Sequence, residues 1–180
     1  VDFFSPEYLR SGNAAQRISW STLTSLDLFS FLRPWNGVLA GTIPLDIHTK
    51  NSDLDLLCQS ADLEDVKQKI TAQYHSVPGF EVQIKTIRNR QTLLARLATR
   101  PFPVEIFVQN RPVTEQEGYQ HLVVEYALLE ENPALRDQVR QLKREGMKTE
   151  PAFALALGLP GDPWQALLDL GVEQGWLPAS

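Results

Sequence analysis

Cysteine is nearly absent from this chain: Cys58 is the only one in 180 residues. An internal disulfide is therefore excluded, and a reduced, cytoplasmic setting is the expectation. Cys58 ends an apolar run and reads as a buried structural thiol. No apolar stretch approaches the roughly 18 to 20 residues of a membrane span. The opening segment VDFFSPEYLRSG lacks the basic-then-apolar order of an export signal. There is no excess of positive charge either. The formal net charge is −5, which argues against sequence-independent coating of nucleic acid and leaves room for a local basic site. Internal repeats, low-complexity tracts and long linkers are also missing. What remains, at 43% hydrophobic and 22% charged residues, is the composition of an ordinary globular protein.

Periodicity divides the chain near residue 112. NAAQRISWSTLTSLDLFSFL places Ile18, Leu23, Leu26, Phe29 and Leu32 near helical spacing and predicts one helix that Pro34 ends. GVLAG and DLDLLCQ are short apolar strands joined by a loop from Thr42 to Ser52. Asp62 caps a helix that runs to about His75, with Leu63, Val66 and Ile70 inward. FEVQIKTI alternates as a strand, PVEIFVQ is another, and TLLARLA between them suits a strand or a helical turn. Beyond Pro112 the pattern is helical. Thr114 with Glu117 predicts a capping box for a helix to about Glu130. Further helices cover Pro133 to Glu145, start near Thr149, and start at Pro163 behind an Asp162 cap. The expected fold is α+β: a small mixed sheet with an N-terminal helix over residues 1–112, then a helical bundle over 113–180.

The stretch LAGTIPLDIHTKNSDLDLLC carries the chemistry. Asp53 and Asp55, one residue apart in a strand-like run, point the same way, and like charges that close repel. Either they lie on a wet sheet end, or something positive sits between them. A third acid, Glu105, stands alone in the later strand VEIF, where pairing with Lys or Arg is the ordinary reading. Three carboxylates on strands that can be neighbours form a hard-oxygen set suited to Mg²⁺ or Mn²⁺, with two metals bridged by the aspartates. Gly41 would let backbone approach a phosphate, and the Thr42 hydroxyl would donate to it.

This order resembles the nucleotidyltransferase superfamily with the DNA polymerase β-like fold: apolar–Gly–hydroxyl, a gap of about ten residues, Asp–apolar–Asp, then a later strand acid. GTIPLDI…SDLDLLC, VEIFVQNRPVTEQEGYQHLVVEYALL and GMKTEPAFALALGLPGDP are similar to a small uncharacterised bacterial family within it, over most of residues 37 to 164. The resemblance implies that Asp53, Asp55 and Glu105 bind the metals and act in catalysis. It also implies that Gly41 and Thr42 hold the triphosphate; Ser52 and Lys148 are further candidates to bind the nucleotide. Thr42 departs from the Ser or Gly more usual there. The implied reaction moves a nucleoside monophosphate from a nucleoside triphosphate to an acceptor, which could be a small molecule, an RNA end or a protein side chain. The alternatives are a non-catalytic nucleotide-binding or protein-interaction module on the same fold, and a helical interaction protein whose carboxylates are dispersed.

Other residues carry weaker signals. Lys85, Arg88, Arg90, Arg96 and Arg100 make an acid-free basic segment that flanks Glu105. Lys148 lies beside a helix N-terminus, a natural anion site. Arg136, Arg140 and Arg144 read as a solvated face pairing with Glu130, Glu131 and Asp137. His121 and Glu125, at i and i+4, read as a structural or substrate-orienting pair rather than zinc ligands. His48 lies in the phosphate-side loop and His75 at a helix end. Trp164, Phe153 and Tyr119 read as core of the helical half, one of them a candidate to stack on a base.

Overall fold

The computed structural model describes residues 1–178. After a short 3₁₀ turn, Asn13 opens α1 (Ala14–Ser25) with a capping box to Gln16. The predicted single N-terminal helix is broken at Asp27, which takes a left-handed backbone (φ 51°) before α2 (Leu28–Leu32). Aspartate tolerates that conformation, and the Tyr74 hydroxyl donates to the freed Leu26 carbonyl at 3.1 Å. Then come β1 (Val38–Ala40), β2 (Leu54–Gln59), α3 (Leu63–Tyr74), β3 (Glu81–Ile87), β4 (Arg90–Leu97) and β5 (Val104–Gln109). The ambiguous TLLARLA segment is a strand. It is an interior strand, between β5 and the edge strand β3.

The sheet order is β1-β2-β5-β4-β3, with β2 and β5 parallel and the other pairs antiparallel. A parallel pair needs a crossover, and α3 with the β3–β4 hairpin supplies it. Strand alternation sends Leu54, Leu56 and Cys58 to one face, where they meet α1, α2 and α3 in a fully apolar core. Cys58 is buried there, its thiol pushed up to about 12 by burial, as a structural thiol should be.

The opposite face carries the helical half: α4 (Glu117–Glu131), α5 (Leu135–Arg144), α6 (Thr149–Leu157) and α7 (Pro163–Glu173). Val38, Ala40 and Leu57 from the sheet pack with Leu122, Val139, Phe153 and Leu167 from these helices. The predicted Thr114–Glu117 capping box is absent. Residues Val113–Glu115 form a 3₁₀ turn and α4 starts after Gln116. The Gln116 side chain is buried and donates Nε2 to the Cys58 and Arg111 carbonyls, at 2.8 and 3.1 Å. A tertiary anchor thus fixes where α4 begins. Asp62 and Asp162 do cap α3 and α7, accepting from Asp65 N and Gln165 N. Among the described residues no helix is long and apolar enough to cross a membrane.

Candidate active site

Register brings the sequence-distant acids together. Ala40 pairs with Asp55, Asp55 with Glu105, and Glu105 with Arg96, so one rung crosses four strands. Asp53 stands two residues before Asp55 and shares its face, which is the face that carries the helices. One oxygen from each of Asp53, Asp55 and Glu105 lies within 4.8 Å of the other two. Burial first, then Asp53 and Glu105, push Asp55 up to about 7. Burial and Glu105 likewise raise Asp53, while Arg96 lowers it. Arg96 Nε donates to Glu105 Oε1 at 2.7 Å, so the ordinary pairing expected of a lone strand acid is also present.

Gly41 follows β1 with φ 74°, and a Cβ there would lie 2.5 Å from Asp55 Oδ2. Both the left-handed backbone and the close carboxylate require glycine. The next ten residues fold back and are strapped down. Thr42 Oγ1 and Ser52 Oγ are 2.9 Å apart, and Ser52 Oγ accepts from Thr49 N at 2.9 Å. Gln16 Nε2 donates to the Ile43 and Pro44 carbonyls, at 3.1 Å each. Asp46, left-handed at φ 55°, accepts from Asn13 Nδ2 at 2.5 Å and pairs with Arg140 Nη2 at 2.5 Å. Arg136 Nε reaches the Leu45 carbonyl at 3.4 Å. Arg136 and Arg140 are thus half-buried and dock α5 on the loop; Arg140 also makes the expected pair with Asp137 at 3.3 Å, and Arg144 is exposed.

Between this floor and the helices lies a cavity of about 530 Å³. Gly41, Thr42, Asp55 and Lys148 line it; Asp53, Ser52 and Glu105 stand outside, at its edge. Arg88 and Arg90 of the basic segment reach it, whereas Lys85, Arg96 and Arg100 do not. Arg88 pairs with Glu117 and stacks 5.7 Å from the Trp164 ring centroid. Trp164 is thus a cavity residue rather than core. Phe153 is core as expected, and Tyr119 is half-buried against Phe4. His121 and Glu125 both face the cavity, yet not as a pair. His121 Nε2 donates to the Trp164 carbonyl at 3.0 Å, and its Nδ1 lies 3.8 Å from Glu150 Oε1. His48 lies in the Gly41–Asp53 loop, edge-on to Phe102, and is held less basic by burial. His75 is at the C-terminus of α3, as expected.

Two charged residues here have no role assigned from the sequence, where Lys143 reads only as a basic neighbour of Arg140 and Arg144, and Glu150 goes unread. Lys143 lies among Asp55, Glu125 and Glu150, donates Nζ to Thr149 Oγ1 at 2.7 Å, and is held less basic by burial. Glu150 is in the first turn of α6. A signal existed for the first: Arg136, Arg140 and Lys143 follow the i, i+4, i+7 spacing of one helix face.

These features define the nucleotidyltransferase-like fold. Solved structures of the Cid1 poly(U) polymerase are similar over most of this chain. The MgATP-bound mutant aligns with TM-score 0.55 at 14% identity, covering 84% of this chain and 53% of that one. The MgGTP-bound form aligns at 0.53 and 15%, covering 77% and 46%. A structure describing Cid1 as an RNA terminal uridylyl transferase aligns at 0.54 and 16%, covering 71% and 40%. The chain thus spans about half the length of these neighbours, and at such identities the likeness is one of fold. No curated protein matches by sequence. A family profile described as "Domain of unknown function (DUF4269)" matches residues 21–170, and the chain belongs to that family.

Proposed function

We propose that the protein is a metal-dependent nucleotidyltransferase that moves a nucleoside monophosphate from a nucleoside triphosphate to an acceptor. One observation carries this reading: Asp53, Asp55 and Glu105 converge to within 4.8 Å beside the Gly41 turn, at the edge of a basic-mouthed cavity. The donor set fits Mg²⁺ or Mn²⁺, because all three ligands are hard oxygens, and burial, then the neighbouring acids, raise Asp53 and Asp55 in the absence of a cation. Bound there, the cations would supply the positive charge that offsets charge building on the phosphates.

The chain's own residues do the rest. Gly41 leaves room for phosphate beside Asp55. Thr42, with Ser52 behind it, offers a hydroxyl, and Lys148 at the α6 N-terminus offers an ammonium. The acceptor oxygen bonds to the α-phosphorus as the bond to pyrophosphate breaks. The acceptor's proton passes to a carboxylate, for which Glu105 is the candidate, with Arg96 orienting it. The same Arg96 pairing favours a second reading, a non-catalytic nucleotide-binding module, since it engages an oxygen of the third acid. The Mg-nucleotide complexes of Cid1 support a nucleotide ligand under either reading.

The test is incubation of purified protein with each α-labelled triphosphate, Mn²⁺ and a cell extract. Metal-dependent label transfer that Asp53→Asn abolishes is the expected result. Metal-dependent nucleotide binding without transfer would support the module, and neither would exclude both.

A further inference from the structure

The two edges of the sheet differ. β1 is three residues long, too short to template another strand, whereas β3 has seven. No proline or bulge interrupts β3, since every residue from Glu81 to Ile87 is in register with β4. The turn at Arg88 and Asn89, left-handed at both positions, closes on a hydrogen-bonded Ile87–Arg90 pair. Alternation from there aims the backbone groups of Glu81, Gln83, Lys85 and Ile87 at β4, and those of Val82, Ile84 and Thr86 outward. β4 is the only strand beside β3, and no other backbone hydrogen bond among the described residues engages those three. The edge's charges are unused as well. Glu81 is exposed, and Arg96, opposite it on β4, donates its Nε to Glu105. Lys85 faces Thr92 and does not reach the cavity.

We infer that β3 is a homodimer interface, pairing antiparallel with the β3 of a second copy about a two-fold axis at Gln83. This register sets Glu81 of each copy against Lys85 of the other. Val82 and Ile84 then exchange both backbone hydrogen bonds with Ile84 and Val82 of the second copy. The two Glu81–Lys85 pairs fall at the non-hydrogen-bonded positions, where opposed side chains stand closer. Charge singles out this axis. Moved to Val82 or Ile84, it sets both charges against uncharged residues; moved to Glu81 or Lys85, it sets like against like. A lone lysine on an edge discourages strand addition, so the occupant has to bring an acid at the matching position, and β3 itself does. The five strands of each copy would join into one ten-stranded sheet. Both cavities would lie on the same face of it, because Glu81, Arg96, Glu105 and Asp55 share one rung.

Sedimentation velocity of the full chain from about 1 µM to about 1 mM covers weak to moderate association. A dimer is expected to form within that span. As it forms, the Val82 and Ile84 amides should gain protection from hydrogen exchange, which needs no variant to measure. Lys85→Glu should weaken the dimer at least about tenfold, because symmetry turns two opposite-charge pairs into two like-charge ones. The fold loses no partner by that change, since Lys85 faces only Thr92. Glu81→Lys should weaken the dimer in the same way. Mixing the two variants should restore it as a heterodimer, each supplying the charge that the other lacks. A chain that stays monomeric throughout overturns the inference. So does a dimer that leaves the Val82 and Ile84 amides unprotected or tolerates Lys85→Glu, since its interface would then lie elsewhere. A mixture that stays monomeric overturns the Gln83 axis and the inference with it.

Discussion

On one face of the sheet Leu54, Leu56 and Cys58 lie fully buried with Leu93, Val104 and Ile106. On the other, beginning one residue away, Asp53, Asp55 and Glu105 crowd to within 4.8 Å. The first face gains stability from every methylene it hides. The second accepts repulsion, a left-handed glycine and buried ionisable groups, which local stability alone would remove. Leu56 and Asp55 are chain neighbours under opposite constraints, because side chains alternate along a strand. The contrast teaches that the helical half does two tasks on its face. Through Leu122 and Phe153 it completes a second core, and through Glu125 and Glu150 it walls a polar cavity.

That comparison breaks most visibly at Leu56. Leu56→Ala should cost about 2 to 5 kcal/mol in chemical denaturation, by lost burial and the hole left behind. It should leave the Mn²⁺-induced gain in stability intact. Gly41→Ala comes next, at roughly 1 to 3 kcal/mol, since it meets both the positive φ and Asp55 Oδ2. Unlike Leu56→Ala, it should also weaken nucleotide binding, measured by calorimetry.

A smaller change of opposite sign is expected at Asp55. Its folded pKa, about 7, lies above its ordinary value of 3.8. Such a group stabilises the fold most below the unfolded pKa, and that contribution is lost as pH rises through the folded one. In chelator, Asp55→Asn should therefore gain on the parent between about pH 4 and pH 7, reaching about 1 kcal/mol near neutrality. Melts across that range should diverge upward for the mutant; parallel curves would mean that Asp55 is well solvated. The smallest effect belongs to the turn. Thr42→Val should cost about 0.5 to 1.5 kcal/mol through the lost contact with Ser52, and Thr42→Ser much less. Equal melting of the two variants would make that hydroxyl pair inconsequential.

Much of this was legible in the chain. Alternation in DLDLLCQ and VEIFVQ put the acids on one face, and the gap from Gly41 to Asp53 pointed to a fold with those strands side by side. Capping residues marked the starts of α3 and α7. What failed was set by tertiary contact. Gln116, not Thr114, fixes the start of α4, because it reaches Cys58 across the core. Arg140 pairs with Asp137 as its spacing suggested, but its second partner, Asp46, is nearly a hundred residues away in sequence and left no sign there. Trp164 looked like core because an aromatic in a helix gives no sign of which neighbour is missing. Glu125 was visible only as half of a spacing pattern, because its charged neighbours, Lys143 and Glu150, come from α5 and α6.

The proposed function stands on a divalent cation held by Asp53, Asp55 and Glu105 on the native protein. Thermal melts of the parent and of Asp55→Asn, each in chelator and in Mn²⁺, test it most directly. Mn²⁺ at a hundred times its dissociation constant adds about 2.7 kcal/mol, which raises the melting temperature of a chain this size by about 5 to 10 °C. The parent should show that rise, and Asp55→Asn should melt above the parent in chelator with little or no further gain from Mn²⁺. A mutant that melts below the parent in chelator, yet gains as much from Mn²⁺, would contradict it and make the aspartates servants of the fold.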